Sequence, residues 1–324
     1  MLQSPNYSNQ LKRIHLIIIY CLLTCLLIAV IYQQVLLSKP SQPAPIVVRD
    51  QEGQAVQIIM PEATVKLFDV PEKLTFAGEE VPLQLDEVME RFEREVYVNA
   101  YWQSNMILLM KRSAKFLPQI EKILAEYNVP DDFKYLAMAE SGLLNVISSA
   151  GARGFWQFMP ETAKEYRLIV NDQVDDRYHL EKSTVAACQY LKKAYARFGN
   201  WTSVAASYNM GIGGLKKRAE EQERQNYYDL YLNEETSRYV FRILAFKVIF
   251  EDPQKYGFDL NAKDLYKLPL YRELKVNQSI PNLSTWALRH NSSYKDLKLH
   301  NPWLRAAKLD IKGGSDFIIR LPVN

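Results

Sequence analysis

The sequence predicts a mainly α-helical protein with an N-terminal transmembrane helix and a small βααβ module at its C-terminus. Three observations predict it. An apolar run occupies residues 14–37, apolar side chains recur at three- and four-residue spacing through the middle of the chain, and the last fifty or so residues change to short stretches of strand and helix.

The first element is "LKRIHLIIIYCLLTCLLIAVIYQQVLL". From Ile14 to Leu37 it has few polar breaks, close to the ~20 apolar residues a spanning helix needs. Lys12 and Arg13 on its N-terminal side favour a cytoplasmic stub over 1–13 and an outward-facing remainder. The run exceeds the usual apolar core of a signal peptide and no A-x-A site follows it, so an uncleaved signal anchor over 14–37 is expected. From 38 to 84 the prolines and polar residues of "SKPSQPAPIVVRDQEGQAVQ" predict an extended linker, with "VQIIM" and "ATVKLF" as short β-prone pieces.

The segment 85–255 reads as one helical domain. Leu85, Val88, Met89, Phe92 and Val96 form one stripe, and Phe116, Ile120, Ile123, Leu124 and Tyr127 another. A helix starts after "VPDD" and is stopped by Gly142; others run from Ser183 to Phe198, Trp201 to Met210, and Glu234 to Glu251, ended by Gly199, Gly211 and Pro253. A linker over 256–270 then leads to 271–324, where "YRELKV", "NLSTWALRHN", "SYKDLKLHNPWL" and "FIIRLP" give strand, helix, helix, strand.

Composition excludes several functions. Forty basic and 37 acidic residues nearly balance, without the basic run and interleaved aromatics that track a phosphate backbone, so no nucleic-acid partner is expected. Cys21 and Cys25 fall in the apolar run, which leaves Cys188 alone and predicts no intrachain disulfide. The four histidines are scattered and no H-x-x-x-H or C-x-x-C pair occurs, so neither metal nor other cofactor is called for.

The chemistry concentrates in "YLAMAESGLLNVISSAGARGFWQFMP", Tyr135 to Pro160. Glu140 falls in the last turn of an apolar helix. There the negative end of the helix dipole and the loss of water both disfavour its anion and raise its pKa. A carboxyl that keeps its proton near neutral pH suits a general acid acting on a poor leaving group such as a sugar oxygen. The loop "SSAGARG" offers hydroxyls and close backbone approach, Gln157 an amide, and Phe155 and Trp156 flat apolar surfaces.

At these residues the chain resembles the soluble-type lytic transglycosylase domain, particularly its membrane-bound murein D branch. The motifs Glu140-Ser141, G-x-x-G-x-x-Q-x-M-P, S-Y-N-x-G and E-T-x-x-Y-V occur in that family's order between about Leu85 and Asp252. The resemblance implies a lysozyme-like helical fold that cleaves the MurNAc–GlcNAc β-1,4 bond of peptidoglycan without water. It also implies that Glu140 is the sole catalytic acid and base. By the same resemblance Ser148, Gln157, Met159, Tyr208, Asn209 and Tyr239 contact the glycan or the acid, with Ser149 standing where the family often has proline. "LSTWALRHNSSYKDLKLHNPWL" with "IIRLP" resembles a LysM repeat, in a degenerate form because "NQSIPN" replaces the early Gly-Asp turn. The partners implied are glycan strands and, through the N-terminal helix, the inner membrane of a bacterial envelope with the catalytic domain in the periplasm. Oligomeric state is left open.

Two other functions fit parts of the pattern. A hydrolase would need a second carboxylate, for which Asp172, Asp175, Asp176 and Glu161 are available. A catalytically silent wall-binding anchor would need no acid at all. With recognition and chemistry on separate modules, removal of 271–324 is expected to weaken retention on insoluble wall and to spare turnover.

Overall fold

The structure is a computed structural model and describes residues 7–37, 46–49, 55–58, 66–312 and 316–323. It divides into two compact units, 1–67 and 68–324.

In the first unit α1 spans Tyr7–Leu37. Within it His15–Gln34 is long and apolar enough to cross a membrane. Its 20 residues rise about 30 Å, the thickness of a bilayer core. Leu16, Ile19, Leu23, Leu27 and Ile31 all stand exposed, so none is covered by protein. Strand β1 (Ile46–Arg49) pairs antiparallel with β2 (Ala55–Ile58), Ile46 opposite Ile58. "VQIIM" thus has a strand partner, supplied by "IVVR" from the stretch expected as spacer. The rest of that expected linker up to residue 65 lies outside the described residues, as do residues 1–6 of the stub.

The second unit opens with a correction. Residues 68–84, expected to extend as linker, are folded onto the helices. A tight hairpin of β3 (Thr75–Phe76) and β4 (Glu79–Glu80) turns at Ala77-Gly78, both at positive φ, and buries Leu74, Phe76, Val81 and Leu83. The sequence hid this because the apolar residues are few and interrupted by Pro71 and Pro82. Polar contacts secure it: the Glu79 carboxylate accepts from the Trp201 and Thr202 amides at 2.5 and 2.8 Å, and Asp132 accepts from the Ala77 amide at 2.7 Å. Lys247, nearly buried, donates to Asp132 (2.7 Å) and to the Thr75 carbonyl (2.8 Å).

The helices follow in order: α2 (Asp86–Tyr101), α3 (Gln103–Glu126), α4 (Phe133–Ser141), α5 (Pro160–Glu165), α6 (Leu180–Phe198), α7 (Trp201–Met210), α8 (Ile212–Glu221) and α9 (Glu234–Glu251). Helix α6 begins three residues before the Ser183 expected from the sequence. Gly142 ends α4 in the left-handed region at φ +57°, where its amide reaches the Met138 carbonyl. Helix α9 is apolar almost all round (Val240, Phe241, Ile243, Leu244, Ala245, Phe246, Val248 and Ile249 are buried), as a central helix must be. It packs against α2, α4 and α7. It therefore brings Tyr239 to the last turn of α4.

The expected linker 256–270 is also fitted to this core: Tyr256 and Phe258 are buried, and the Tyr266 amide donates to the Lys111 carbonyl at 3.0 Å. The C-terminal module has the βααβ order read from the sequence, with β5 (Tyr271–Val276), α10 (Leu283–Arg289), α11 (Tyr294–His300) and β6 (Phe317–Pro322). Strands β5 and β6 pair antiparallel, Tyr271 opposite Pro322. Its core of Leu283, Ala287, Leu297, Leu304, Leu309, Ile319 and Leu321 takes in Val174 and Tyr178, two residues of the preceding domain.

Candidate active site

Glu140 lies on α4, one residue before its end, and is only partly exposed. The Tyr239 hydroxyl donates to Glu140 Oε1. Burial pushes the Glu140 carboxyl up from 4.5 to about 7, opposed by the Tyr239 hydrogen bond and the positive charge of Arg242, and assisted by the negative charge of Glu235. Loss of water is the leading cause, one of the two that the helix-end position suggested. A carboxyl so raised can hold its proton near neutral pH. Tyr239 is 2% exposed, and burial together with Glu140 holds its phenol well above the usual value, so it acts as a donor throughout the working range.

The loop 142–158 is tied to α4 through Ser141, whose hydroxyl bonds the Ala137 and Phe155 carbonyls at 3.2 and 2.8 Å. The functional serine of the sequence reading, Ser148, accepts from the Ala152 amide at 3.0 Å, while its own amide reaches the Ala152 carbonyl. It shapes the loop and makes no bond to Glu140. Gln157 sits at φ +48° and its amide nitrogen donates to the carbonyls of Gly154 (2.7 Å) and Val146 (3.2 Å). The expected grip on the sugar is thus preceded by a grip on the loop. Phe155 and Trp156, expected to offer flat apolar surfaces, are both buried, and the Trp156 indole donates to Thr184 at 2.9 Å.

Gln157, Met159, Tyr208 and Asn209 line one depression of about 430 Å³, together with Tyr166, Tyr190 and Lys193. Met159 is 42% exposed, which places its thioether on the surface rather than in the core. Tyr208 packs edge-on to Phe158 and Tyr190 and gives its hydroxyl hydrogen to the Trp156 carbonyl at 2.8 Å. Asn209 bridges α7 to α9: its nitrogen donates to Glu235 (3.2 Å) and its oxygen accepts from Thr236 (2.8 Å). A separate cavity of about 290 Å³ lies where the helical domain meets the C-terminal module, lined by Phe116, Phe155, Trp303 and Arg320 among others, and holds none of these residues.

Sequence reasoning missed Glu235 and Arg242, the two charges that act on Glu140. Both share α9 with Tyr239, and Arg242 is one turn beyond it, so the three-residue spacing was the available signal. Glu95, 1% exposed on α2, holds Arg238 at 2.7 Å and stands 3.6 Å from Arg242. The carboxylates proposed for a hydrolase are otherwise engaged. Asp175 pairs with Arg177 and Asp176 with Lys182, while Glu161 and Asp172 are exposed.

The phenol-bonded carboxyl of Glu140 and the aromatic-walled depression at Met159 and Tyr208 both belong to the helical domain. Residues 118–231 match the Transglycosylase SLT domain, and residues 272–324 match the Soluble lytic transglycosylase C-terminal LysM-like domain. The chain thus carries an SLT domain, which a LysM-like domain follows. Over 198 residues it is 26% identical to Membrane-bound lytic murein transglycosylase D of Escherichia coli (strain K12), covering 58% of this chain and 43% of that protein. Over 107 residues it is 29% identical to a Putative tributyltin chloride resistance protein of Alteromonas sp. (strain M-1), covering 32% of this chain and 52% of that protein. The lytic transglycosylase Slt of Pseudomonas aeruginosa, solved as an inactive mutant, aligns over 46% of this chain and 26% of its own at 18% identity and a TM-score of 0.36. The chain thus spans less than half of its E. coli relative.

Proposed function

We propose that this protein is a peptidoglycan lytic transglycosylase that cuts the MurNAc–GlcNAc β-1,4 bond and leaves 1,6-anhydroMurNAc ends. The observation that carries the proposal is the Glu140 carboxyl, raised to about 7 by burial and held by the Tyr239 hydroxyl. Protonated Glu140 gives its proton to the glycosidic oxygen as the C1–O bond breaks, and positive charge develops at C1 and the ring oxygen. The carboxylate so formed takes the proton of the same sugar's C6 hydroxyl, whose oxygen closes on C1. Glu140 ends protonated, as it began, and water is neither consumed nor released. The nucleophile is tethered to the reacting carbon, so proximity replaces a second carboxylate. Met159 and Tyr208 would wall the glycan, while Gln157, Asn209 and Ser148 hold the loop and helix ends against it.

A hydrolase is the second reading, favoured by Glu235, the one carboxylate that acts on Glu140. Mass spectrometry of products from purified peptidoglycan separates the two. Anhydro-muropeptides, lighter by one water than hydrolysis products, are expected to dominate. Reducing-end products would make Glu235 the water-activating base.

The helix His15–Gln34 supports an anchor in the inner membrane with the remainder in the periplasm, in line with the membrane-bound relative. The protein is expected to stay with membranes through an alkaline carbonate wash. Release of a chain newly begun near Ser38 would assign that helix to a cleaved leader.

A further inference from the structure

The C-terminal module does not hang from the helical domain; it completes it. Backbone bonds run both ways between the two, from the Asp175 amide to the Trp303 carbonyl (2.9 Å) and from the Arg305 amide to the Gln173 carbonyl (2.7 Å). Val174 bridges Leu304 as a short antiparallel edge. The Gln173 side chain exchanges two further bonds with Asp310, at 2.7 and 2.8 Å, and Arg320 of β6 pairs with Glu181 of α6 at 2.6 Å. Tyr178, 2% exposed, lies in the module's core with the Arg305 guanidinium 4.4 Å above its ring.

The same segment grips the loop beside Glu140 from its other side. Asp175 holds Arg177 by two bonds, Nε to Oδ1 at 2.9 Å and Nη2 to Oδ2 at 2.7 Å, and both residues are 2% exposed. A paired, planar guanidinium so fixed has its remaining nitrogen aimed, and Nη1 donates to the Phe158 carbonyl (3.1 Å) and toward that of Gly151 (3.4 Å). Arg153 of the loop closes on Asp175 at 3.6 Å. The loop that receives these contacts carries Ser148 and Gln157, and its Phe155 carbonyl is bonded to Ser141 next to the acid.

We infer that Arg177 and Asp175 are positioning residues for the cleavage, and that the LysM-like module acts through them as a brace on the active-site loop. This rests on the transglycosylase reading for its kinetic consequence but not for the brace itself. It replaces the expectation that the two modules work separately.

The test uses the full chain with either Arg177→Lys or Gln173→Ala. Lysine keeps the charge that Asp175 requires but cannot span the carboxylate and two carbonyls together. Gln173 lies near the surface, so its truncation loosens the module without opening the core. Hydrogen exchange of the amides in 146–158 is expected to speed up about tenfold or more in Arg177→Lys and by a smaller factor in Gln173→Ala. Helices α2 and α9 should stay within about twofold of wild type. On a short soluble glycan kcat is expected to fall about tenfold in Arg177→Lys with KM changed less than about threefold, because the loop's misplacement is felt most in the transition state. A general loss of folded protein would instead lower the active fraction and speed exchange in all helices alike. Loop protection equal to wild type in both variants would overturn the brace. A wild-type protein that cleaves no glycan would overturn the transglycosylase reading, with the exchange measurement still deciding the brace.

Discussion

Glu140→Gln is expected to reduce glycan cleavage by a factor on the order of a hundred or more and, in the same protein, to raise stability above neutral pH. Glutamine has nearly the shape of the acid and still accepts from Tyr239, but it has no proton to give. The stability effect follows from the raised carboxyl, which takes its proton at about 7 in the fold and near 4.5 when freed from burial. Between those values the folded state binds more protons than the unfolded chain, so stability falls as pH rises through that window and is lowest above it. A shift of this size corresponds to roughly 3 kcal/mol, reduced to about 2 because Glu140 is only partly covered. The neutral amide escapes this penalty. The Tm advantage of the variant should therefore be larger at pH 8 than at pH 5, and wild-type turnover should fall as pH climbs past about 7 and the acid loses its proton. An advantage confined to pH 5, or cleavage undiminished in the variant, would remove Glu140 from the role of acid.

Gly154→Ala is expected to be the most damaging small substitution in the loop. Gly154 has φ +79°, and an added Cβ would meet the Arg177 carbonyl oxygen at 1.8 Å and its carbon at 2.6 Å. Neither is a flexible side-chain end. The clash falls on the short helix Asp176–Tyr178, whose neighbours fix both the loop and the C-terminal module. Left-handed strain adds about 1 kcal/mol, and moving the backbone brings the total to about 3 kcal/mol or more, a Tm loss near 10 °C for a unit of this size. Gly151→Ala is the control. Its φ of +89° carries the strain, but nothing lies within 4 Å of the added carbon. Equal losses for both would show that the close approach to Arg177 does not matter.

Much of the fold was legible because it was written in local patterns. Gly142, Gly199, Gly211 and Pro253 end helices where their backbone preferences require, and the βααβ order follows from four short runs. What escaped was non-local. The hairpin at Thr75–Glu80 is too short to have a period, and it is held by backbone amides and a lysine more than a hundred residues away. For the same reason the burial of Trp156 was hidden: its partner Thr184 stands on α6, outside the loop that carries it. The raised carboxyl of Glu140 was legible from its helix-end, apolar setting. The roles of Gln157 and Asn209 were not, since amides look alike whether they face a sugar or a carbonyl. Glu235 and Arg242 lay one helical turn either side of a residue already singled out.

The insertion of Val174 and Tyr178 into the core of the C-terminal module sets an order of assembly. That core also needs Ile319 and Leu321 of β6. The pairing of β5 with β6 joins residues about fifty apart, and the bridge from Val174 to Leu304 spans well over a hundred. Contacts of such separation form late, after the local helices. The segment that aims Arg177 is therefore finished only after β6 has joined β5. A chain cut before Phe317 would carry Glu140 and Tyr239 and still lack the strand that closes the module around Val174 and Tyr178.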